Sequence, residues 1–366
     1  MEAAAARFAA LLNAIASSDI AARAYASAPA AAAAVALLYG AFVLVRFARA
    51  DSDPAAAAAT RRMPPDAFAG QVVLIVGASS GIGEALALEM AERGAVLVLA
   101  ARRMEQLAAL AERCRQVGAH DAMALRLDVL APDSHAAAVA MVLKKFGRVD
   151  VLVCNAGRSQ RGLAEKTPLS VDREMFDLNV LGTLSITKAV LPSMLARGSG
   201  VIAVTSSIAG KTGSPISSTY SATKAAVNGF FAALRMEVSW RGVSVVVACP
   251  GPVHSEITQH AFTEEAGKEL GSLSEDAASR MPAERCAKLM AGAIWARLPE
   301  VWIAKQPILF YTYVAQFMPG LYYTLAPRIG RRRVEALQRG DAGYDSISSV
   351  SGLFGGGGAA AKAKAS

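Results

Sequence analysis

From Gln71 onward, short apolar runs alternate with longer amphipathic stretches. The apolar runs are rich in Val, Ile and Leu on both faces, which is typical of parallel strands that helices cover on both sides. We predict strands at residues 72–76, 95–100, 122–127, 149–153, 201–205, 243–248 and 300–304. Because strands and helices alternate along the chain, the pattern predicts an α/β fold with a doubly wound parallel sheet.

The chain before this region has a different pattern. Residues 30–45 carry no charge, and extending the stretch back to Tyr25 gives about 21 residues, just enough to cross an apolar layer of about 30 Å. We therefore predict that residues 1–49 form an N-terminal segment with a membrane anchor at about 25–45. An Ala-rich targeting extension or a helix lying on a membrane surface is the alternative. More arginines follow the stretch than precede it, which favours a catalytic domain on the cytosolic side.

A single catalytic domain is predicted at residues 70–304. Residues 50–69 contain Pro54, a run of alanines and a Pro-Pro pair, and we interpret them as a linker. Residues 346–366 contain four consecutive glycines followed by alanines and lysines, which predicts a flexible tail.

Between the catalytic domain and the tail, residues 305–345 form an extension with a distinct composition. Aromatic residues are concentrated at 308–323, and three arginines follow at 331–333. We expect the aromatic part to form a wall that dips into the membrane interface, and the arginines to lie on a solvated helix face or against the membrane surface. A dimer contact or additional core is the alternative for the aromatic part.

Composition and charge exclude several classes of protein. The chain has 54% hydrophobic and 19% charged residues, so it can bury a large core and is not intrinsically disordered. The net charge of +8 is not gathered on a basic face with aromatic residues, and we predict no nucleic-acid binding. The four cysteines show no CxxC spacing and the four histidines no HxxxH or HExxH pairing, so we predict neither a disulfide framework nor a metal site.

A glycine-rich turn follows the first predicted strand. Its sequence is Gly77-Ala78-Ser79-Ser80-Gly81-Ile82-Gly83, and a helix begins directly after it. Small residues let the backbone approach a pyrophosphate, whose charge is met by the free amides at the helix N-terminus. At the first strand-to-helix turn of a Rossmann fold, these residues predict a dinucleotide-binding site whose contacts are Gly77, Ser79, Ser80, Gly81, Ile82 and Gly83.

The end of the second strand indicates which dinucleotide binds. Arg102 and Arg103 follow this strand, at the place where a carboxylate accepts hydrogen bonds from the ribose of NAD. A guanidinium pairs instead with a 2′-phosphate, so we predict NADP(H) as the cofactor. We expect Arg102 to make the main contact and Arg103 to be either a second cofactor contact or directed to solvent, with Ser79 and Ser80 adding hydroxyl donors. The alternative is that both arginines are only the polar start of a helix.

Three polar residues near the fifth strand predict proton transfer. Tyr220 and Lys224 are four residues apart, so they share one face of a helix. An ammonium near a phenol stabilises the phenolate, and we expect it to lower the pKa of Tyr220 from about 10. Ser207 follows the fifth strand, where its hydroxyl would hydrogen-bond and polarise a substrate carbonyl. We predict Ser207, Tyr220 and Lys224 as catalytic residues.

In their order and spacing, these motifs resemble those of the short-chain dehydrogenase/reductase superfamily. The residues that carry the resemblance are the glycine-rich turn, Asn155-Ala156-Gly157, Asn179, Ser207, Tyr220, Lys224 and Pro250-Gly251-Pro252-Val253. The resemblance implies that Asn179 is a fourth catalytic residue, which holds a water leading from Lys224 to solvent. It also implies that helices around Asn179 and Tyr220 form a homodimer face.

The resemblance implies further cofactor contacts after the third, fourth and sixth strands. These contacts surround the adenine edge, the underside of the cofactor and its carboxamide, and they are Asp128, Val129, Asn155, Ala156, Gly157, Tyr220, Lys224, Pro250, Gly251 and Val253. Val76 and Cys154 depart from the usual Thr and Asn, which removes structural hydrogen bonds rather than groups that transfer protons. We expect Cys154 and Cys249 to be about 9.6 Å apart, on strands with a third between them, and reduced.

Several segments are similar to one membrane-bound branch, the dehydrogenase/reductase SDR family member 7 type. This similarity implies an NADPH-dependent carbonyl reductase of the endoplasmic reticulum membrane, with its sidedness open. Its substrate would be a small lipophilic ketone or aldehyde such as a steroid, retinoid or lipid-derived carbonyl, and residues 254–281 would form a substrate lid. A 3-keto-sphingoid or 3-ketoacyl reductase and a catalytically idle NADP(H)-binding adaptor are the alternatives.

Overall fold

The computed structural model describes residues 19–271 and 280–339. The chain divides into two units, Met1–Ala50 and Asp51–Ser366, which we describe separately. The tail predicted at 346–366, residues 340–345 of the extension and residues 272–279 of the predicted lid lie outside the described residues.

The described part of the first unit is one helix, α1 (Asp19–Ala48). The anchor predicted at 25–45 falls within it, although most side chains before Val35 lie outside the described residues. Val35–Ala48 is a shorter apolar stretch of this helix, and its large apolar side chains from Val35 to Val45 are exposed. Within the described ranges, Leu169–Arg197 is the helix long and apolar enough to cross a membrane, but half of its apolar window is buried in the protein. That segment is therefore a core helix by its burial.

The second unit is built on a parallel sheet, as the alternation of runs predicts. Seven strands form it within the described residues: β1 (Val72–Val76), β2 (Val96–Ala101), β3 (Asp121–Arg126), β4 (Val151–Cys154), β5 (Gly200–Thr205), β6 (Val243–Pro250) and β7 (Glu300–Ile303). Their order is β3-β2-β1-β4-β5-β6-β7, and each neighbouring pair is parallel. The chain direction across the sheet reverses between β1 and β4, which is where ligands bind in doubly wound folds.

Helices cover both faces of this sheet. The helices of the second unit that the structure describes are α2 (Pro54–Arg62), α3 (Gly81–Ala91), α4 (Met104–Val117), α5 (His135–Phe146), α6 (Leu169–Phe176), α7 (Gly182–Arg197), α8 (Ala209–Thr212), α9 (Ser218–Val238), α10 (Ala283–Trp295), α11 (Ile308–Phe317) and α12 (Pro319–Arg339). One group of contacting helices contains α2, α3, α4 and α10, and a second contains α5, α6, α7 and α9. Because both faces are covered, β1, β4 and β5 are buried along their whole length.

The linker predicted at residues 50–69 is wrong, because residues 54–62 form helix α2, which packs on α10. Asp53 caps it by accepting a hydrogen bond from Ala56 N at 2.8 Å, and it also accepts one from Trp302 N at 2.7 Å. An added Cβ on Gly292 of α10 would lie 2.5 Å from Thr60 Oγ1, so the two helices are in close contact. Pro54, which was counted among the features of a linker, occupies the first helical position, where proline is favoured.

The aromatic extension forms α11 and α12, which contribute to the core of the second unit. Leu309 and Tyr322 are buried, and the Tyr322 hydroxyl donates a hydrogen bond to the carbonyl oxygen of Thr212 in α8. Gln316 Nε2 donates to the carbonyl oxygen of Lys211 at 2.9 Å. The inner face of the extension is therefore additional core, as one of the sequence alternatives had it. Its outer face exposes Phe310, Phe317, Met318, Leu321 and Tyr323.

Candidate active site

The glycine-rich turn between β1 and α3 packs directly on the turn that follows β4. Gly77 and Gly81 have φ values of +86° and +60°, which favour glycine. An added Cβ on Gly77 would lie 2.6 Å from Ala156 N, and one on Gly83 would lie 2.2 Å from the carbonyl oxygen of Gly77. Asn155 Nδ2 donates to that same carbonyl at 3.0 Å. The glycines are thus required by the backbone geometry of this site.

The N-terminus of α3 offers amides to an anion. The first N–H groups of a helix have no carbonyl one turn earlier to bond, and the Ser80 side chain makes no capping hydrogen bond. Ser79, Gly81 and Ile82 line the cleft at this point. Partial positive charge and free amides at a helix N-terminus suit a phosphate group, so the turn fits the pyrophosphate of a dinucleotide.

Arg103, rather than Arg102, is directed at the glycine-rich turn. Its Nε and Nη2 atoms donate to Ser79 Oγ at 3.2 and 3.0 Å, and Nη2 donates to Ser80 Oγ at 2.7 Å. Its Nη1 atom lies 3.2 Å from a carboxylate oxygen of Glu256. Arg102 also lines the cleft but is exposed. Of the two alternatives for Arg103, the structure therefore favours a place beside the glycine-rich turn, because the residue before the start of α4 directs its side chain to Ser79 and Ser80.

Glu256 is ionised in this arrangement. Burial alone would raise its pKa, but the hydrogen bonds from Arg103 and Ser80 and the charge of Arg103 hold the pKa below its usual value. Sequence reasoning missed this residue, since it lies in the predicted lid and no motif marks it. Its contacts bring a carboxylate to the same groups that were expected to receive a 2′-phosphate.

The other predicted cofactor contacts gather along the same cleft. Thr205 Oγ1 donates to Asn155 Oδ1 at 3.0 Å, which fixes the amide that holds Gly77. Asp128 Oδ1 accepts a hydrogen bond from Leu130 N at 3.1 Å. The cleft is lined by Gly77, Ser79, Ser80, Gly81, Ile82, Arg102, Arg103, Asp128, Val129, Asn155, Ala156, Gly157, Tyr220, Lys224, Pro250, Gly251 and Val253. Gly83 is buried beneath the turn and supports it without lining the cleft.

Ser207 and Tyr220 meet at the inner end of the cleft. The Ser207 hydroxyl is near enough to Tyr220 to lower the pKa of the phenol, and its Oγ lies 3.3 Å from the carbonyl oxygen of Pro250. Ala209 N donates to Ser207 Oγ at 3.1 Å, which orients the serine hydroxyl. Ser207 ends the segment after β5 and Tyr220 lies in the first turn of α9, so two rigid elements position the pair.

The pKa of Tyr220 differs from the sequence expectation. Burial raises the pKa of Tyr220 above its usual value, and the hydrogen bond with Ser207 and the charge of Arg161 only partly oppose this effect. The predicted net lowering is therefore wrong for this structure, because the loss of hydration outweighs the nearby positive charge. Tyr220 keeps its proton at neutral pH, as a proton donor must.

Lys224 is buried next to this pair. Its side chain is 5% exposed, and Nζ donates to the carbonyl oxygen of Thr205 at 2.8 Å. Nζ lies 5.8 Å from the centroid of the Tyr220 ring, on the helix face that the four-residue spacing predicts. Burial lowers the pKa of Lys224 to about 8. A lysine in this state can exchange a proton near neutral pH.

Asn179 lies in a π-helical turn, Asp177–Leu181, between α6 and α7. Its Oδ1 accepts from Arg158 N at 2.9 Å, while Nδ2 donates to Arg158 O at 3.0 Å and to Thr223 Oγ1 at 3.1 Å. A Cβ built on Gly157 would lie 3.1 Å from Asn179 Oδ1 and 3.5 Å from Lys224 Nζ. Asn179 and Lys224 therefore border one small space beside Gly157.

The cleft has a volume of about 470 Å³ and continues past Tyr220 to the C-terminal extension. Ile308, Tyr311 and Ile329 of the extension form part of its wall. Arg333 also lines it, is only 2% exposed and donates to Ser214 Oγ at 2.6 Å. The interpretation of residues 331–333 as one solvated basic face is therefore wrong for Arg333, since the helix turns this side chain inward.

The cysteines are buried and free. Cys154 and Cys249 lie on β4 and β6 with β5 between them, as predicted, and burial raises the pKa of both thiols to about 12. Cys154 Sγ lies 3.6 Å from Thr187 Oγ1, so this thiol keeps one polar contact where the usual Asn is absent. Both thiols are protonated and structural.

Comparison with known proteins decides the family. The family model for short chain dehydrogenases matches residues 71–266, which is more than half of the chain. The chain belongs to the short-chain dehydrogenase/reductase family. It is 40% identical over 317 residues to Dehydrogenase/reductase SDR family member 7 from Homo sapiens, covering 85% of this chain and 92% of that protein.

Solved structures of the family agree with the fold. An alcohol dehydrogenase from Thermococcus sibiricus, complexed with 5-hydroxy-NADP, is 28% identical, with a TM-score of 0.55 over 64% of this chain and 97% of that chain. A short chain dehydrogenase/reductase from Burkholderia phymatum in complex with NAD is 27% identical, with a TM-score of 0.60 over 69% and 95%. This short-chain dehydrogenase/reductase is thus an oxidoreductase whose fold binds a nicotinamide cofactor and a small-molecule substrate.

Proposed function

We propose that this protein is an NADPH-dependent carbonyl reductase that acts on a lipophilic ketone or aldehyde. The observation that carries the proposal is that Ser207, Tyr220 and the buried ammonium of Lys224 converge in one part of the cleft. Two hydroxyls that meet at the end of a cofactor cleft suit the oxygen of a carbonyl, which accepts hydrogen bonds from both.

The choice of NADP(H) is supported by the arginines after β2. Arg103 presents its guanidinium beside Ser79 and Ser80, and Arg102 lines the cleft next to it. Guanidinium and hydroxyl donors together suit a 2′-phosphate, whereas the ribose of NAD prefers a carboxylate at this position. The solved relatives include one with an NADP analogue and one with NAD, so the choice rests on these residues of this chain.

In the proposed reaction the chain supplies the proton and the bound cofactor supplies a hydride. Ser207 Oγ polarises the substrate carbonyl, and the Tyr220 hydroxyl gives its proton to the carbonyl oxygen. Lys224 then returns a proton to Tyr220. The space shared by Lys224, Asn179 and Gly157 suits a water that connects this lysine to solvent.

The substrate class follows from the wall of the cleft beyond Tyr220. Ile208, Ile308, Tyr311 and Ile329 line this part. Apolar walls around a few polar groups suit a lipophilic carbonyl such as a steroid, a retinoid or a lipid-derived aldehyde or ketone. A 3-keto-sphingoid or 3-ketoacyl compound is also a lipophilic carbonyl, so it should be tested beside these substrates.

The proposed location is the endoplasmic reticulum membrane, with α1 as the anchor. The apolar stretch Val35–Ala48 supports this location. Deleting residues 1–49 should release the protein from membranes in a carbonate extraction. If the shortened protein stays bound, the exposed Phe317 and Leu321 of the extension hold it instead.

The chain is also proposed to form a homodimer through the helices around Asn179 and Tyr220. Leu181, Met236 and Trp240 are large exposed apolar side chains on or beside these helices, and their burial would favour association. Analytical ultracentrifugation of Trp240→Lys should then show a weaker dimer than the unchanged protein. A monomeric unchanged protein would contradict this part of the proposal.

The experiment that tests the function is a comparison of carbonyl compounds and cofactors with the purified full chain. Steroids, retinal, lipid-derived aldehydes, 3-keto-sphingoid bases and small hydrophilic ketones should each be offered with NADPH and with NADH. We expect turnover of lipophilic carbonyls with NADPH at a higher kcat/KM than with NADH. Tight NADPH binding with no turnover of any compound would favour an idle NADP(H)-binding adaptor.

A further inference from the structure

Glu256 occupies the groups that the proposed function assigns to the 2′-phosphate. Its carboxylate lies 3.2 Å from Arg103 Nη1 and approaches Ser80, while the other nitrogens of Arg103 donate hydrogen bonds to Ser79 and Ser80. Glu256 belongs to the segment after β6, so a residue distant in sequence closes over the end of the glycine-rich turn. Four side chains thus form one cluster: Arg103, Ser79, Ser80 and Glu256.

Packing holds this segment against the turn. A Cβ built on Gly81 would lie 2.9 Å from Ser255 Cβ, so the residue next to Glu256 is in direct contact with the glycine-rich turn. Glu256 therefore reaches Arg103 from a backbone that is itself positioned on the cofactor site. The contact between Glu256 and Arg103 is therefore favoured by the position of the backbone and not only by the reach of two long side chains.

A carboxylate and a phosphate compete for such a cluster. Both are anions that accept hydrogen bonds from a guanidinium and from hydroxyls, and they repel each other at short distance. A 2′-phosphate carries more charge and more acceptor oxygens than a carboxylate, so it can displace Glu256. The hydroxyl of NADH carries no charge and has no such advantage.

We infer that Glu256 competes with the 2′-phosphate of NADP(H) for Arg103 and Ser80 and thereby limits how strongly the protein selects NADPH over NADH. The inference rests on the proposed use of NADP(H). It makes Glu256 a specificity-determining residue, although the family motifs do not include it. Removal of its charge should increase selectivity for NADPH and not decrease it.

The expected size of the effect follows from exposure. The side chains of Arg103 and Glu256 are 40% and 45% exposed, and exposed ion pairs contribute little. Displacing Glu256 therefore costs NADPH only a modest part of its affinity. Glu256→Gln should tighten NADPH binding by about two- to fivefold and leave NADH binding unchanged.

Binding titrations of the full chain, followed by protein fluorescence, test this inference. NADPH, NADH, adenosine 2′,5′-bisphosphate and 5′-AMP should be compared for the unchanged protein and for Glu256→Gln. Glu265→Gln is a matched control, because Glu265 lies in the same segment, is exposed and pairs with Lys268. We expect Glu256→Gln to tighten both ligands that carry a 2′-phosphate and neither of the others, while Glu265→Gln changes none.

A second pair of variants shows whether Glu256 acts through Arg103. In an Arg103→Gln background the additional Glu256→Gln change should tighten NADPH binding less than it does when Arg103 is present. If Glu256→Gln binds NADPH more weakly or as tightly as the unchanged protein, or if it gains equally for NADH, the inference about Glu256 is overturned. In that case an NADPH preference of the unchanged protein would still support the proposed function. If the unchanged protein instead binds NADH more tightly and Arg103→Gln alters neither cofactor, the proposed function itself fails.

Discussion

Lys224 Nζ donates a 2.8 Å hydrogen bond to the carbonyl oxygen of Thr205. This contact ties α9, which carries Tyr220, to the end of β5, two residues before Ser207. One buried ammonium therefore holds the two reactive hydroxyls in a common frame. The same Nζ atom makes this structural contact and would transfer the proton in the proposed reaction. Burial lowers the pKa of this lysine, which suits the transfer.

The pKa of Lys224 makes the stability of the protein depend on pH. Burial lowers this pKa from 10.5 in an unfolded chain to about 8 in the folded one. Between these values the unfolded state binds more protons, so this group makes stability rise with pH and fall as pH drops towards 8. We expect the unfolding free energy of the unchanged protein, minus that of Lys224→Met, to rise with pH by about 1 kcal/mol per unit across this window.

Chemical denaturation at several pH values between 8 and 10.5 measures this difference. Lys268→Met removes a lysine whose side chain is 61% exposed and serves as the surface control. If the difference in unfolding free energy between the unchanged protein and Lys224→Met stays flat or falls with pH, burial does not disfavour the charged form of Lys224 in the folded protein.

The space beside Gly157 provides a test of the proposed proton path. Gly157→Ala should lower kcat at least about tenfold with little change in NADPH affinity, because its methyl group would lie 3.1 Å from Asn179 Oδ1 and 3.5 Å from Lys224 Nζ. Gly229→Ala in α9 is the control, since nothing lies within 4 Å of its added Cβ. This control should stay active and gain about 0.5–1 kcal/mol in stability. Equal kcat values for Gly157→Ala and Gly229→Ala would contradict a role of this space in proton transfer.

Much of the fold was predictable because buried parallel strands leave a strong signal. β1 and β5 are apolar on both faces, and their limits agree with the predicted runs within one residue. Helix α2 left no such signal, because Thr60 packs against Gly292 by close approach and its other buried residues are small alanines and not a stripe of large apolar residues. Such a contact depends on a partner helix more than 200 residues away, which local patterns do not reveal.

The candidate site was predictable where the spacing along one helix or one turn sets the geometry. Tyr220 and Lys224 share a helix face, and the glycines lie in the turn where they were expected. The direction of the Arg103 side chain was not predictable, because its partner Glu256 is 153 residues away. The inward turn of Arg333 was missed for the same reason, since its contact Ser214 lies 119 residues earlier.

The two arginines after β2 are distinguished by their contacts. Arg103→Gln should weaken NADPH binding by about 10- to 150-fold and leave NADH binding nearly unchanged, because it loses a charge-assisted contact to the 2′-phosphate. Arg102→Gln should weaken NADPH less, because its side chain is exposed. Fluorescence titration with both cofactors measures this. Equal losses for NADPH and NADH in Arg103→Gln would indicate a role in the fold of the turn and not in recognition of the phosphate.

The C-terminal extension should control substrate size. Ile329 is 4% exposed and lines the cleft, so Ile329→Phe fills space near the substrate. We expect its kcat/KM to fall at least about tenfold for bulky carbonyls and to change little for small aldehydes. Leu321→Phe on the outer face of the same helix is the control and should affect neither class. A uniform loss for all substrates in Ile329→Phe would place the substrate elsewhere.

The most direct test of the proposed reaction is the single-atom change Tyr220→Phe, assayed for NADPH-dependent carbonyl reduction beside NADPH binding. The ring still packs against Val171, Met175 and Phe262, so the fold and the cofactor affinity should be unchanged. Only the transferable proton is lost, and general acid catalysis is typically worth about 10²- to 10⁴-fold. We expect Tyr220→Phe to lose turnover and to retain its affinity for NADPH. A variant that keeps more than about a hundredth of the rate would contradict Tyr220 as the proton donor.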